Sequence, residues 1–108
     1  MTQLYTLVVY VPETHIEEVL LAIGDAGAGR IGNYSFCSFS TRGTGRFRPE
    51  EGADPAEGEM GKLAEVPEER IEVACERSEV KQVIEAIKRA HPYEEVVVDT
   101  YPMLVIDN

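Results

Sequence analysis

Two stretches of this chain, 64 residues apart, carry the same pattern of apolar and polar residues. VPETHIEEVLLAIGDAG at 11–27 overlays CERSEVKQVIEAIKRAH at 75–91. The apolar positions that coincide are Ile16 with Val80, Val19 with Val83, Leu20 with Ile84 and Ile23 with Ile87. Both sets follow the i, i+3, i+4, i+7 spacing of a helix with one buried face. The repeat therefore requires a fold in which one unit occurs twice.

Each predicted helix lies between two segments that are typical of strands. YTLVVYV at 5–11 and RIEVAC at 70–75 precede the helices, and YSFCSFST at 34–41 and EVVVDTYPML at 95–104 follow them. Such a doubled βαβ order predicts an α+β fold, the ferredoxin-like βαββαβ arrangement. Strands 1 and 3 would be central in an antiparallel sheet, with both helices on one face.

The helix ends carry recognisable signals. Thr14 with Glu17 fits a capping box, and Ser78 occupies the position of an N-cap in the second copy. Gly27 is expected to end the first helix, and His91-Pro92 to end the second because proline cannot continue a helix.

Two helices cover only one face of a four-stranded sheet, yet the first strand is apolar on both sides. Leu4, Val8 and Tyr10 alternate with Leu7, Val9 and Val11. Exposed apolar area of this kind marks an interface, so we expect a homo-oligomer. The tail Met103-Leu104-Val105-Ile106 is a candidate for an added strand on a neighbouring subunit.

The composition predicts one domain spanning residues 1–108 with a formal net charge of −10. The acidic balance disfavours binding to nucleic acid and to anionic membranes. We expect a cytoplasmic protein, because no signal-peptide pattern or membrane-spanning run is present and Cys37 and Cys75 fit reduced thiols.

The segment RIGNYSFCSFSTRGTGRFR at 30–48 contrasts with the acidic chain, since it holds four arginines and no acid. It leads into a predicted Gly/Pro-rich insertion between the two halves, at about 42–67. The candidate anion-binding residues are Arg30, Arg42, Gly43, Gly45, Arg46 and Arg48. Arginine forks suit phosphate or carboxylate, and consecutive glycine amides can form an anion nest. The alternative is that these arginines pair with the acidic insertion of a neighbouring subunit.

A second candidate site is a metal centre formed by His91, Cys37 and Glu94, since imidazole, thiolate and carboxylate together suit copper or zinc. The alternative is that His91 only ends a helix, where its charge would favour the helix dipole. No candidate nucleophile has a base placed beside it by the sequence, so no catalytic residue and no required cofactor is predicted.

The string IGNY…CSF…GTG.FRP…G..P…G..GKL, followed later by HPYEE, resembles the domain inserted in YqfO-type proteins, which are bacterial members of the Nif-three-like dinuclear-metal family. The resemblance covers essentially the whole chain and implies a PII/CutA-like fold that commonly forms trimers. Free-standing YqfO-like proteins of about this length are known, and the chain looks like one. Arg30 departs from many relatives, which have histidine there.

The family's metal ligands lie in flanking halves that this sequence does not contain, so its hydrolase chemistry is not expected here. The predicted function is a non-enzymatic module that binds a small anion or a metal ion at or near subunit boundaries. Trimers are favoured, with dimers as the alternative. Two other functions stay open: a protein–protein interaction module, and an accessory domain acting in trans with a metal-dependent hydrolase.

Overall fold

A computed structural model of the chain describes residues 3–104 and residue 106. Its elements in chain order are β1 (Leu4–Pro12), a 3-10 turn (Glu13–His15), α1 (Ile16–Asp25), β2 (Phe39–Phe47), β3 (Ala64–Glu76), a second 3-10 turn (Arg77–Glu79), α2 (Val80–Ala90) and β4 (Val98–Pro102). The doubled βαβ order is confirmed. Neither helix in the described ranges is long and apolar enough to cross a membrane.

The strands form one antiparallel sheet in the order β2-β3-β1-β4. The predicted central position of strands 1 and 3 is therefore confirmed. Val9 shows the register, since it lies opposite Ile71 of β3 on one side and Val98 of β4 on the other. Because β4 pairs with β1 only as far as Val9, the last three residues of β1 lack a partner strand on that side.

The core lies between the two helices and one face of the sheet. Its buried cluster consists of Leu7, Val9, Val11, Val19, Ile23, Ala28, Ile71, Val73, Cys75, Val83 and Ile87. Two of the matched pairs of the repeat, Val19 with Val83 and Ile23 with Ile87, are both in this cluster. The duplicated apolar stripe thus forms the symmetric centre of the fold, as its spacing predicts.

Side chains alternate across a strand, so the even-numbered residues of β1 face away from the helices. Val8 is buried, whereas Tyr10 is 45% exposed. The register places Phe39 and Tyr101 on the same face, and they are 68% and 53% exposed. We call Tyr10, Phe39 and Tyr101 the aromatic face.

The helix ends are as predicted, but the helix starts are not. Gly27 follows α1 with φ +109°, a conformation that favours glycine, and α2 ends at Ala90 before His91. The capping box of Thr14 and Glu17 does not form, and neither helix has a side-chain cap. In both halves a 3-10 turn precedes the helix and contains the expected cap, Thr14 or Ser78. The repeat therefore extends to this unpredicted feature.

The second strand lies further along the chain than predicted. Residues 34–38 are not in a strand, because Phe36 adopts φ +58° and its ring lies where a side chain on Gly24 of α1 would otherwise be, 2.0 Å from an ideal Cβ. The left-handed backbone at Phe36 breaks the strand and folds this segment onto α1.

The predicted insertion at 42–67 is largely part of the sheet. Its first and last residues pair with each other in the β2–β3 hairpin, from Arg42 opposite Glu69 to Phe47 opposite Ala64. Only 48–63 forms a loop.

The last strand, β4, is shorter than the predicted 95–104. Met103 and Leu104 of the proposed added strand are not in a strand, and Val105 lies outside the described residues.

Candidate functional site

A cleft of about 500 Å³ lies between the β2–β3 hairpin and the segment that joins α2 to β4. We call it the hairpin cleft. Its lining comprises Tyr10, Thr41–Phe47, Glu68, Arg70, His91, Tyr93 and Glu95–Val97. The volume is within the range of roughly 300–1,000 Å³ that is usual for small-molecule sites.

Glu68 of β3 is the buried charge of this cleft, with only 8% of its surface exposed. The hydroxyl of Tyr93 donates a hydrogen bond to its Oε2 at 2.8 Å. The carboxylate lies against Gly45 of β2, where an ideal Cβ would be 2.1 Å from Oε1. Glycine at 45 thus makes room for the Glu68 side chain on the neighbouring strand.

Tyr93 packs between the end of β2 and His91. Its ring packs edge-on against Phe47, with centroids 5.7 Å apart, and also contacts the His91 ring. Burial raises the pKa of Tyr93, and the bond to Glu68 adds to this effect. Tyr93 therefore stays protonated and donates its hydroxyl hydrogen to Glu68.

His91 uses both ring nitrogens within the protein. The backbone N–H of Tyr93 donates to Nδ1 at 3.2 Å, so the ring proton is on Nε2, which donates to the Tyr10 carbonyl at 2.8 Å. The imidazole thus satisfies a carbonyl of β1 at a position that β4 does not reach. Burial lowers the pKa of His91, which favours this neutral form.

The predicted arginines divide into two groups. Arg42 and Arg46 line the hairpin cleft, together with Arg70, which the sequence reasoning had missed. Arg30 is exposed in the segment between α1 and β2, and Arg48 pairs with Glu50 at 2.7 Å. Arg46 pairs with Glu65 at 3.5 Å and Arg70 pairs with Glu72. Within the ranges that the structure describes, Arg42 forms no ion pair.

The predicted glycine nest does not form. Gly43 and Gly45 are extended residues in the middle of β2, opposite Glu68 and Val66, and neither has a positive φ. Backbone N–H groups of an extended strand alternate in direction, so consecutive amides do not converge on one anion. The two glycines leave room where a side chain would otherwise be. The Glu68 side chain fills this room at Gly45, and nothing lies within 4 Å of an ideal Cβ at Gly43.

The proposed metal set is not brought together. His91 has no free nitrogen, and Glu94 accepts the backbone N–H of Asp54 at 2.8 Å. Cys37 lines a different cavity of about 210 Å³ beside Phe36 and α1. In the part of the chain that the structure describes, no group of three His, Cys, Asp or Glu side chains is arranged to hold a metal ion.

Both cysteines are free thiols. Cys75 is buried in the core, and burial raises the pKa of its thiol to about 11, with smaller effects of the Glu79 and Glu76 charges. A thiol with such a pKa is a weak nucleophile at neutral pH, so Cys75 fits a packing role.

Sequence reasoning missed Glu68, and one signal pointed to it. Val66, Glu68 and Arg70 alternate along a strand, and two glycines interrupt the strand beside it. Glycine within a strand commonly marks a close approach by another group. The pairing that puts Gly45 against Glu68 depends on the hairpin register, however, which was not predicted.

No family model matches the chain. It is similar to a protein named GTP cyclohydrolase 1 type 2 homolog from Halalkalibacterium halodurans, with 49% identity over 100 residues, which are 93% of this chain and 27% of that protein. A solved Bacillus cereus protein related to NIF3 superimposes with a TM-score of 0.82 and 51% identity over 94% of this chain and 26% of that one. The chain thus spans about a quarter of the length of these relatives.

Two more distant structures share the fold alone. CutA1 from Ehrlichia chaffeensis superimposes with a TM-score of 0.71 at 13% identity, covering 100% of this chain and 88% of that one. A Bacillus subtilis GlnK–ATP complex gives 0.63 at 13% identity, covering 94% and 82%. The predicted PII/CutA-like fold is confirmed.

Proposed function

Because this chain is a YqfO-like relative of one domain of the NIF3-related proteins and has a PII/CutA-like fold, we propose that it is a non-enzymatic binding or regulatory module. Its ligand is a small anion, bound in the hairpin cleft. The activity of the full-length relatives is not assigned to it.

One observation carries the proposal: Arg42 lines an open cleft without forming an ion pair in the described ranges, and Arg46 and Arg70 line the same cleft. An arginine fork can bind a phosphate or carboxylate through two parallel hydrogen bonds. The Arg46–Glu65 pair competes only weakly with an anion for the Arg46 guanidinium. Both side chains are more than half exposed, and exposed ion pairs contribute little free energy.

The names of similar proteins suggest which probes to use. The GlnK structure is a complex with ATP, and the curated relatives are named for GTP cyclohydrolase. A shared fold does not transfer a ligand, so these names guide the choice of compounds only.

The test is calorimetric titration of the protein with inorganic phosphate, AMP and ATP. Arg42→Ala combined with Arg46→Ala is expected to weaken binding at least tenfold, since one charge-assisted hydrogen bond contributes about 1.5–3 kcal/mol. Arg30→Ala is the matched control, because Arg30 lies outside the cleft. The proposal fails if none of the three compounds binds, or if the control weakens binding as much as the cleft variant.

We further propose that the module is a homo-oligomer, with a trimer favoured and a dimer as the alternative, and that the cleft lies at or near a boundary between subunits. The exposed aromatic face supports self-association, since large exposed aromatic side chains on one surface commonly mark an interface.

We place the protein in the cytoplasm. The free thiols of Cys37 and Cys75 support this, because reducing compartments keep thiols unpaired.

A further inference from the structure

Glu68 is a buried carboxylate that lacks a cationic partner. No Lys, Arg or His nitrogen in residues 3–104 forms an ion pair with it. Taking a carboxylate out of water is costly unless hydrogen bonds or an opposite charge compensate it. The one hydrogen bond from the Tyr93 hydroxyl offsets only a small part of the desolvation cost of Glu68, which is 8% exposed.

The carboxylate of Glu68 has acceptor positions to spare. An ionised carboxylate offers about four lone-pair sites, and the one side-chain bond found for Glu68 in the described ranges is that from Tyr93 to Oε2. No buried side-chain oxygen in those ranges is both fully enclosed and without a partner. Because Oε1 has no donor there, it is not fully enclosed and can accept a further hydrogen bond.

We propose that Glu68 binds a planar pair of N–H donors on the ligand, so that the hairpin cleft takes a small molecule with an anionic group at one end and an N–H pair at the other. This inference rests on the proposed anion-binding function and deepens it. Two parallel N–H groups match a carboxylate in the same way that an arginine fork does.

The composition of the cleft suits such a bipolar molecule. Glu68 and Arg70 share one face of β3 and supply a negative and a positive charge, and Arg42 and Arg46 of β2 also line the cleft. The exposed ring of Tyr10 also lines the cleft and offers an aromatic surface to a planar group.

A metal ion is a poorer occupant of the Glu68 position. The neighbouring His91 has no free nitrogen, and in the described ranges no second acidic or sulfur side chain completes a three-ligand set with Glu68. A planar N–H pair needs only the one carboxylate.

A guanine base and a guanidinium group both carry this N–H pair, and the probes separate these two sources. GMP and IMP differ by the exocyclic amine that completes the pair, and free arginine presents the pair on a guanidinium with a carboxylate at the other end. Binding of each compound is measured by calorimetry at one fixed salt concentration.

The variant is Glu68→Gln, which keeps the size of the side chain and an acceptor for Tyr93 but turns one oxygen into a donor. Glu76→Gln is the matched control, since it removes one carboxylate from the same strand at an exposed position outside the hairpin cleft.

The expected result is that the wild-type protein binds GMP at least tenfold more tightly than IMP, or binds arginine. Glu68→Gln is expected to remove this preference or binding, and Glu76→Gln to retain it. A preference for GMP identifies a guanine base, and arginine binding alone identifies a guanidinium group.

Three outcomes overturn the inference. If phosphate or AMP binds through Arg42 but GMP equals IMP and arginine does not bind, the inference fails and the anion site stands. If no compound binds at all, both fail. If Glu68→Gln changes the oligomeric state in light scattering and leaves ligand binding unchanged, a cation of a second copy neutralises Glu68. Should Glu68→Gln not fold, the comparison of GMP, IMP and arginine on the wild-type protein decides.

Discussion

The side chain of His91 connects the end of β1 to the segment that follows α2. Its sequence context suggested either a metal ligand or a charged residue at the end of α2, and the structure supports neither. The ring is 6% exposed and neutral, with one nitrogen accepting from Tyr93 and the other donating to Tyr10. It replaces the missing partner strand beside the end of β1, and it also positions Tyr93, which in turn holds Glu68.

The His91 environment predicts a pH-dependent stability. Burial lowers the pKa of His91 below the ordinary value of 6.5, so at a pH between the two values the unfolded chain binds a proton that the folded chain does not. The free energy of unfolding is therefore expected to fall as the pH drops below about 6.5 and to be unaffected by this group at higher pH.

Urea unfolding of the wild-type protein and His91→Gln at pH 7.5 and at lower pH measures this effect. The variant should lose part of the wild-type pH dependence, since glutamine can donate to the Tyr10 carbonyl without titrating. Comparison with His15→Gln separates the two histidines. An NMR titration in which the His91 ring protonates above pH 6.5 would contradict the prediction.

The β2–β3 hairpin is the element that most affects the candidate site. It converts what the sequence presents as a glycine-rich insertion into paired strands, and its register places Gly45 against the Glu68 carboxylate. The two glycines of β2 therefore differ: an added Cβ at Gly45 would meet Glu68, whereas one at Gly43 would meet nothing within 4 Å.

This difference predicts opposite effects for two similar substitutions. Gly45→Ala forces the Glu68 carboxylate away from Tyr93 and is expected to destabilise the fold by roughly 1.5–3 kcal/mol, the contribution of a hydrogen bond to a charged group. Gly43→Ala, the matched control, should be neutral or stabilising by up to about 1 kcal/mol, because alanine lowers the entropy of the unfolded chain. Denaturant unfolding measures both, and equal effects would contradict the assigned role of Gly45.

The whole molecule is longer than a compact chain of its size. Its radius of gyration is 15.1 Å, against about 13 Å for a compact chain of this length, and its extents are 51 × 22 × 21 Å. The helices cover one face of the sheet, while Tyr10, Phe39 and Tyr101 are exposed on the other. An elongated chain with one aromatic face fits the proposed association with its own copies.

Light scattering at micromolar concentration is expected to give three times the mass of the 12.0 kDa chain, or twice that mass if the protein is a dimer. Phe39→Ser with Tyr101→Ser should shift the protein toward monomers, because burial of these rings would supply much of the association energy. Leu21→Ser is the matched control, since Leu21 is 58% exposed on α1, away from the aromatic face. A monomeric wild-type protein would contradict the proposal.

The order of the elements and the residues of the core follow from local patterns in the sequence. Val19, Ile23, Val83 and Ile87 could be predicted as buried because helical spacing is local, and the ends at Gly27 and His91 because glycine and proline act on their own backbone. The position of β2 could not be predicted, because it depends on the contact of the Phe36 ring with Gly24 of α1. Gly45, Glu68 and Tyr93 come together in the hairpin cleft only when the chain folds. The same folding leaves Arg30, Cys37 and Glu94 outside the cleft. The register of the β2–β3 hairpin places Gly45 beside Glu68, and the segment after α2 brings Tyr93 to Glu68. Neither contact can be read from the spacing of these residues along the chain.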